Sequence, residues 1–155
     1  MNRTCGIICP SDVFMTADTW LRASVAAELK RLITQKHITR FLCGMNLGGD
    51  LLCAEIVLEL KASYPFITLE SVFPYENQAE HWAEEQRDRY YDIASQCDRE
   101  TLLQYHYDEK CIEQHNRYIA ETSDILLTVS QTAQADNLQQ FNKAVIRITA
   151  ENNEQ

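Results

Sequence analysis

Glycine is scarce in this chain, four residues in 155, and three of the four fall at Gly44, Gly48 and Gly49 within the stretch CGMNLGGDLLCAE at residues 43–55. Long apolar runs are missing as well. None approaches the roughly eighteen residues that a membrane span requires, so a soluble protein with no membrane partner is expected. The opening MNRTCGIICPSDVF carries one arginine and an interrupted apolar stretch, with no small-residue cleavage site after it, which argues for the cytoplasm over secretion. No pair among the six cysteines forms C-x-x-C, and most lie in apolar periodic segments. That spacing disfavours structural zinc and fits buried free thiols in a reducing compartment; no metal is expected. Cations are short too. Residues 1–74 balance at seven basic and seven acidic side chains, residues 75–124 hold five against thirteen, and residues 125–155 hold two against three. Nucleic-acid affinity comes largely from phosphate neutralisation by Lys and Arg, so no nucleic-acid partner is expected, and the acidic middle reads as a solvated helical face.

What is present is an alternation of apolar segments with helical periodicity. Residues 3–9 are short, apolar and partly β-branched, then stop at Pro10-Ser11-Asp12, as a first strand does. Leu21, Val25, Leu29, Leu32 and Ile33 recur at helical spacing to about Gln35, with Thr16 or Asp18 placed to cap the helix. Residues 38–43 make a second strand and lead into the glycines. Leu52, Ile56 and Leu60 then repeat every four residues until Tyr64-Pro65 ends the helix. A third strand is expected over 66–73, an acidic helix from Asn77 to Ser95, a short extra strand at 101–105 and a helix from Asp108 to Thr122. The run Ile125 to Val129 is apolar but for Thr128, as a strand covered on both faces is. A last helix within 131–142 and a last strand at 144–148 complete the pattern. Strands alternating with helices imply parallel pairing through right-handed crossovers. The fold class is therefore α/β: a three-layer Rossmann-like sandwich with a mostly parallel sheet of about five strands, a single domain over 1–150, and a disordered tail at 151–155.

In such sheets ligands bind beyond the carboxyl ends of the strands, where strand order reverses. The loops Cys9 to Asp12 and Gly44 to Gly49, and the end of the 125–129 strand, would then face one crevice. A glycine loop opening a helix exposes backbone N–H groups at the positive end of the helix dipole, which suits a phosphate or carboxylate. The spacing here is G-x-x-x-G-G-D, which matches neither the G-x-G-x-x-G nor the G-x-x-x-x-G-K-[ST] fingerprint. Glycines that simply permit a tight turn remain the alternative, with Asp50 as a helix cap. Glu55 stands a turn further in, within reach of a ribose hydroxyl of a bound nucleotide. His115 shares an apolar helical face with Ile112 and Ile119 and reads as a core histidine ahead of a catalytic base. Trp82 and the Tyr90-Tyr91 pair read as packing groups.

The run FLCGMNLGGDLLCAEIVLELKASYP, followed by FPYENQAEHW and HNRYIAETSDILLTV, resembles the YpsA-like branch of the SLOG superfamily, the Rossmann-like group that includes DprA and the LOG phosphoribohydrolases. The resemblance covers about residues 3–149. It implies a Rossmann-like fold and a crevice for nucleotide-derived ligands, and family habit implies a homodimer. Residue by residue, it carries Gly44, Gly48, Asp50 and Glu55 onto the family's G-x-x-x-G-x-D and A-x-E positions, Gln78 and Trp82 onto its Q-x-x-x-W, and Asn116 and Arg117 onto its R-N-R, whose first arginine is His115 here. Met45, Asn46 and Gly49 belong to the same loop. Cys9 and Pro10 occupy the first loop, where the family has a Gly-x-Arg-Pro-like stretch. Thr132 lies in the second glycine loop, here shortened to Ser130-Gln131-Thr132-Ala133 and without glycine. Three readings follow. One is a sensing domain for an ADP-ribose-like or NAD-like ligand, without catalysis. Another is a hydrolase of nucleotide N-glycosidic bonds, with Glu55 or Asp50 as acid/base. The third is a protein-interaction module using the acidic helix from Asn77 to Ser95.

Overall fold

The apolar segments of the chain pair into one six-stranded sheet in the computed structural model, which describes residues 3–11, 19–132 and 136–150. The strands are β1 (Arg3–Ile7), β2 (Ile38–Cys43), β3 (Thr68–Phe73), β4 (Arg99–Leu102), β5 (Ile125–Ser130) and β6 (Ala144–Thr149). All pair in parallel, in the order β4-β3-β2-β1-β5-β6. The helices are α1 (Thr19–Gln35), α2 (Gly49–Leu60), α3 (Glu84–Gln96) and α4 (Cys111–Thr122), with a 3-10 helix at Leu138–Phe141. Strand order reverses between β1 and β5, which places the topological switch point at the centre of the sheet.

The alternation of side chains along β2 shows the three layers. Phe41 and Cys43 join the large cluster formed with α1, α2 and α3, while Leu42, between them, packs with Val72 and Ile119 on the α4 face. The 3-10 helix lies on that second face too, where Leu138 packs with Leu126 and Ala120. Leu21, Val25, Leu29, Leu32 and Ile33 are the buried stripe of α1, as their spacing requires. Glu70 is buried in β3 because Arg40 of β2 and Arg99 of β4 flank it at 3.1 and 3.2 Å.

Several boundaries differ from the sequence reading, each for a local reason. The edge strand expected at 101–105 starts two residues earlier, at Arg99, which pairs with Glu70 in register. It makes a sixth strand. The acidic helix begins at Glu84 rather than Asn77, because residues 77–82 fold as turns. There Glu80 donates to the Asn77 carbonyl at 3.1 Å and Trp82 to the Ala79 carbonyl at 3.1 Å, which buries Ala79. Helix α2 stops at Leu60, with a turn rather than helix leading to Pro65. In place of a last helix across 131–142, the described residues hold four residues of 3-10 helix, ended by Asn142 at φ 57°. The capping positions Thr16 and Asp18 and the tail 151–155 lie outside the described residues.

Candidate functional site

The glycine loop joins the carboxyl end of β2 to α2, and its geometry is set by contact rather than by open space. Gly44, Gly48, Gly49 and Asp50 are all buried. A Cβ on Gly44 would stand 2.5 Å from His115 Cε1 and 2.9 Å from Asp50 Oδ2. One on Gly49 would stand 2.7 Å from both Cys9 Cβ and the Val129 carbonyl oxygen. Gly48, at φ 101°, supplies the backbone angle that lets α2 begin, and buried Met45, three residues earlier, takes φ 60°.

Asp50 is the polar centre of this packing. Its Oδ1 accepts the Cys9 N–H at 2.9 Å and its Oδ2 accepts the Asn46 N–H at 3.1 Å. Burial pushes its carboxyl up to about 7, against the pull of these hydrogen bonds. The Cys43 thiol donates to the Asp50 carbonyl at 3.2 Å, and the Cys9 sulfur accepts the Val129 N–H at 3.2 Å. Burial raises both thiols well above the ordinary cysteine range. His115 lies under Gly44, with Nε2 donating to the Val72 carbonyl at 2.8 Å, and burial holds its imidazole below the ordinary histidine value.

The other loop residues are tied into the same packing. Asn46 Nδ2 donates to Ser11 Oγ at 2.7 Å, and Asn46 Oδ1 accepts the Leu47 N–H at 2.9 Å. Gln78 Nε2 donates to the Gly44 carbonyl at 3.3 Å while its oxygen accepts the Tyr90 hydroxyl at 3.2 Å. Trp82 meets Tyr90 edge-on at 5.2 Å. Glu55 faces α3, where Arg89 Nε donates to its Oε2 at 3.0 Å and Arg89 Nη2 to its Oε1.

The open space lies on the other face of the sheet. A cleft of about 910 Å³ runs along the carboxyl ends of β1, β5 and β6, between the first turns of α4 and the 3-10 helix. Cys9 and Pro10 line it at the switch point, and Asn116 lines it from α4. Its floor comes from two paired strands. Thr128 stands beside Arg147 and Ser130 beside Thr149, all four on the cleft side, while Val129 and Ile148 between them turn into the large core. Thr149 Oγ1 is buried with no partner among the described residues. Arg147 Nε and Nη2 each donate to Asp136 at 2.9 Å, and Asp136 Oδ1 also accepts the Leu138 N–H at 3.0 Å, which anchors the 3-10 helix. The Arg147 guanidinium holds the Asp136 carboxyl below its ordinary value.

Of the residues singled out in the sequence, the cleft thus gathers Cys9, Pro10 and Asn116. Gly44, Met45, Gly48, Gly49, Asp50 and His115 form the buried layer behind Cys9. Arg117 does not line the cleft itself, although its guanidinium lies 5.6 Å over the ring of Phe141, which does, and 3.6 Å from Glu121. Thr132 is exposed beyond β5. The floor residues went unnoticed in the sequence, although their signal is legible: polar residues at alternate positions, T-x-S in ILLTVS and R-x-T in AVIRIT, inside otherwise apolar strands. Among the described residues no group of His, Cys, Asp and Glu could hold a metal ion, and no helix is long and apolar enough to cross a membrane.

Comparison with known proteins places this arrangement in a family. The YpsA model, described as the YspA SLOG family, matches residues 15–155. A UPF0398 protein of Bacillus pumilus is 30% identical over 110 residues, covering 68% of this chain and 59% of that protein. One of Halalkalibacterium halodurans is 28% identical over 113 residues, covering 72% and 59%, and one of Brevibacillus brevis is 36% identical over 78 residues, covering 50% and 41%. The chain therefore spans less than two thirds of the length of these relatives.

Proposed function

The chain belongs to the YspA SLOG family, and from that premise we propose that it is a small-molecule-binding domain whose ligand, of nucleoside to nucleotide size, lies in the cleft along β1, β5 and β6. One observation carries this reading. A cleft of about 910 Å³ opens at the carboxyl ends of parallel strands beside the switch point, the place where sheets of this class take ligands. The ADP-ribose-like or NAD-like ligand implied by the family resemblance is of a size to enter it. Sensing rather than catalysis fits the carboxylates best. Asp50 is buried with both oxygens engaged by loop amides, and Glu55 is held by Arg89, so neither is poised against a bound sugar.

A thermal-shift series with adenosine, AMP, ADP-ribose and NAD tests the proposal, since a ligand that binds only the folded state raises the melting temperature. Ile112 lines the cleft from an exposed position on α4. Ile112→Trp should obstruct the cleft without disturbing the core and abolish the shift. A series in which no compound raises the melting temperature, or in which Ile112→Trp responds like the wild type, overturns the reading.

A further inference from the structure

The charges around the cleft say what kind of ligand it favours, given the reading above that it is a small-molecule site. Among the described residues three charged side chains line it: Glu113, Asp136 and Arg147. The arginine is committed, with two nitrogens on the Asp136 carboxylate, so Glu113 is left as the uncompensated charge. The neighbouring cations do not enter. Lys110 stands at the N-terminal end of α4, and Arg117 lies over the ring of Phe141, a wall residue of the cleft, where Glu121 is its carboxylate partner at 3.6 Å. Among the described residues no lysine or arginine other than Arg147 lines the cleft. The first turn of α4 offers its positive end, but Glu113 sits in that turn.

What the cleft does offer is hydroxyl and amide chemistry over an apolar wall. Thr128, Ser130 and Thr149 form a patch on two paired strands, and the Thr149 hydroxyl has no partner among the described residues. Asn116 faces it from α4, and Leu138 and Phe141 supply the wall. Hydroxyls and amides both donate and accept, which suits sugar hydroxyls and ring nitrogens. A phosphate would lose its hydration and find the lining arginine already engaged by the Asp136 carboxylate.

We propose that this cleft selects a ligand without a phosphate group, a neutral or cationic hydroxylated ring compound of which a nucleoside is the simplest case. Titration calorimetry on the full chain at low ionic strength tests it, with adenosine, 5′-amino-5′-deoxyadenosine, AMP and ADP-ribose as probes. Adenosine and its cationic amine should bind at least about ten-fold more tightly than AMP, with the gap narrowing as salt is added. Glu113→Lys, a change at an exposed position, should shrink the gap by strengthening AMP. AMP or ADP-ribose binding as tightly as adenosine would overturn this inference and leave the cleft as a ligand site. Binding by none of the four would overturn both.

Discussion

Asp50 Oδ1 lies 2.9 Å from the backbone nitrogen of Cys9, forty-one residues away in sequence, and through this bond the loop after β2 holds the loop after β1. The second oxygen closes the glycine loop on itself through Asn46. A single buried carboxylate thus fixes the wall that separates the packed loop from the open cleft.

Titration of Asp50 should therefore appear in the stability of the protein. Its carboxyl is raised from 3.8 in the unfolded chain to about 7 in the folded one, so the folded state binds the proton more tightly. The contribution is fully present below about pH 4 and is lost as pH rises through about 7, with a slope of up to about 1.4 kcal/mol per pH unit. Urea unfolding at several pH values should show this loss in the wild type, and Asp50→Asn should flatten the profile. A wild-type profile that rises across this window would contradict the assignment.

Removing the carboxylate has a different signature. Asp50→Ala strands the Cys9 and Asn46 N–H groups in a buried site and should cost about 2–4 kcal/mol. Hydrogen exchange at those two amides should accelerate more than at the β1–β5 ladder.

Gly44 is fixed by its neighbour. Gly44→Ala drives a methyl group against the His115 ring and should cost about 1–3 kcal/mol. The pair Gly44→Ala with His115→Ala should lose less than the two single changes summed, as measured in a double-mutant cycle. Additivity of the two would show that the ring is not what excludes the side chain.

Glu55 gives a test of where a ligand does not sit. Glu55→Gln leaves Arg89, whose side chain is 12% exposed, without its counter-charge and should cost about 1–3 kcal/mol. Affinity for any compound bound in the β5–β6 cleft should remain within two-fold or so, as for remote independent sites. A large loss of affinity would place the ligand over α2 instead.

The Asp136–Arg147 pair is partly exposed, so Arg147→Ala should lower stability by less than about 1 kcal/mol. Its effect should instead be local. The Asp136 carboxyl should return toward the ordinary aspartate range, read by carbon-detected NMR, and the Leu138 amide should exchange faster as the 3-10 helix loosens.

The architecture was legible because it follows from short-range periodicity. The stripe of Leu21, Val25, Leu29, Leu32 and Ile33 has one spacing that buries it, and the apolar run of β5 has one kind of sheet that covers it on both faces. Turn boundaries were less legible. The acidic segment from Asn77 looks helical in composition, and only the burial of Ala79 and the edge-on contact of Trp82 with Tyr90 accompany its irregular first turns.

By itself the sequence determined the alternation of strands and helices, the parallel sheet and the place of the glycine turn, since each rests on neighbours a few residues apart. Tertiary structure alone decided which side of that turn is open. Glycine removes a side chain without saying what takes its place. Here His115, Cys9 and Val129 take it from segments remote in sequence, while the paired polar faces of β5 and β6 leave the space beside them free.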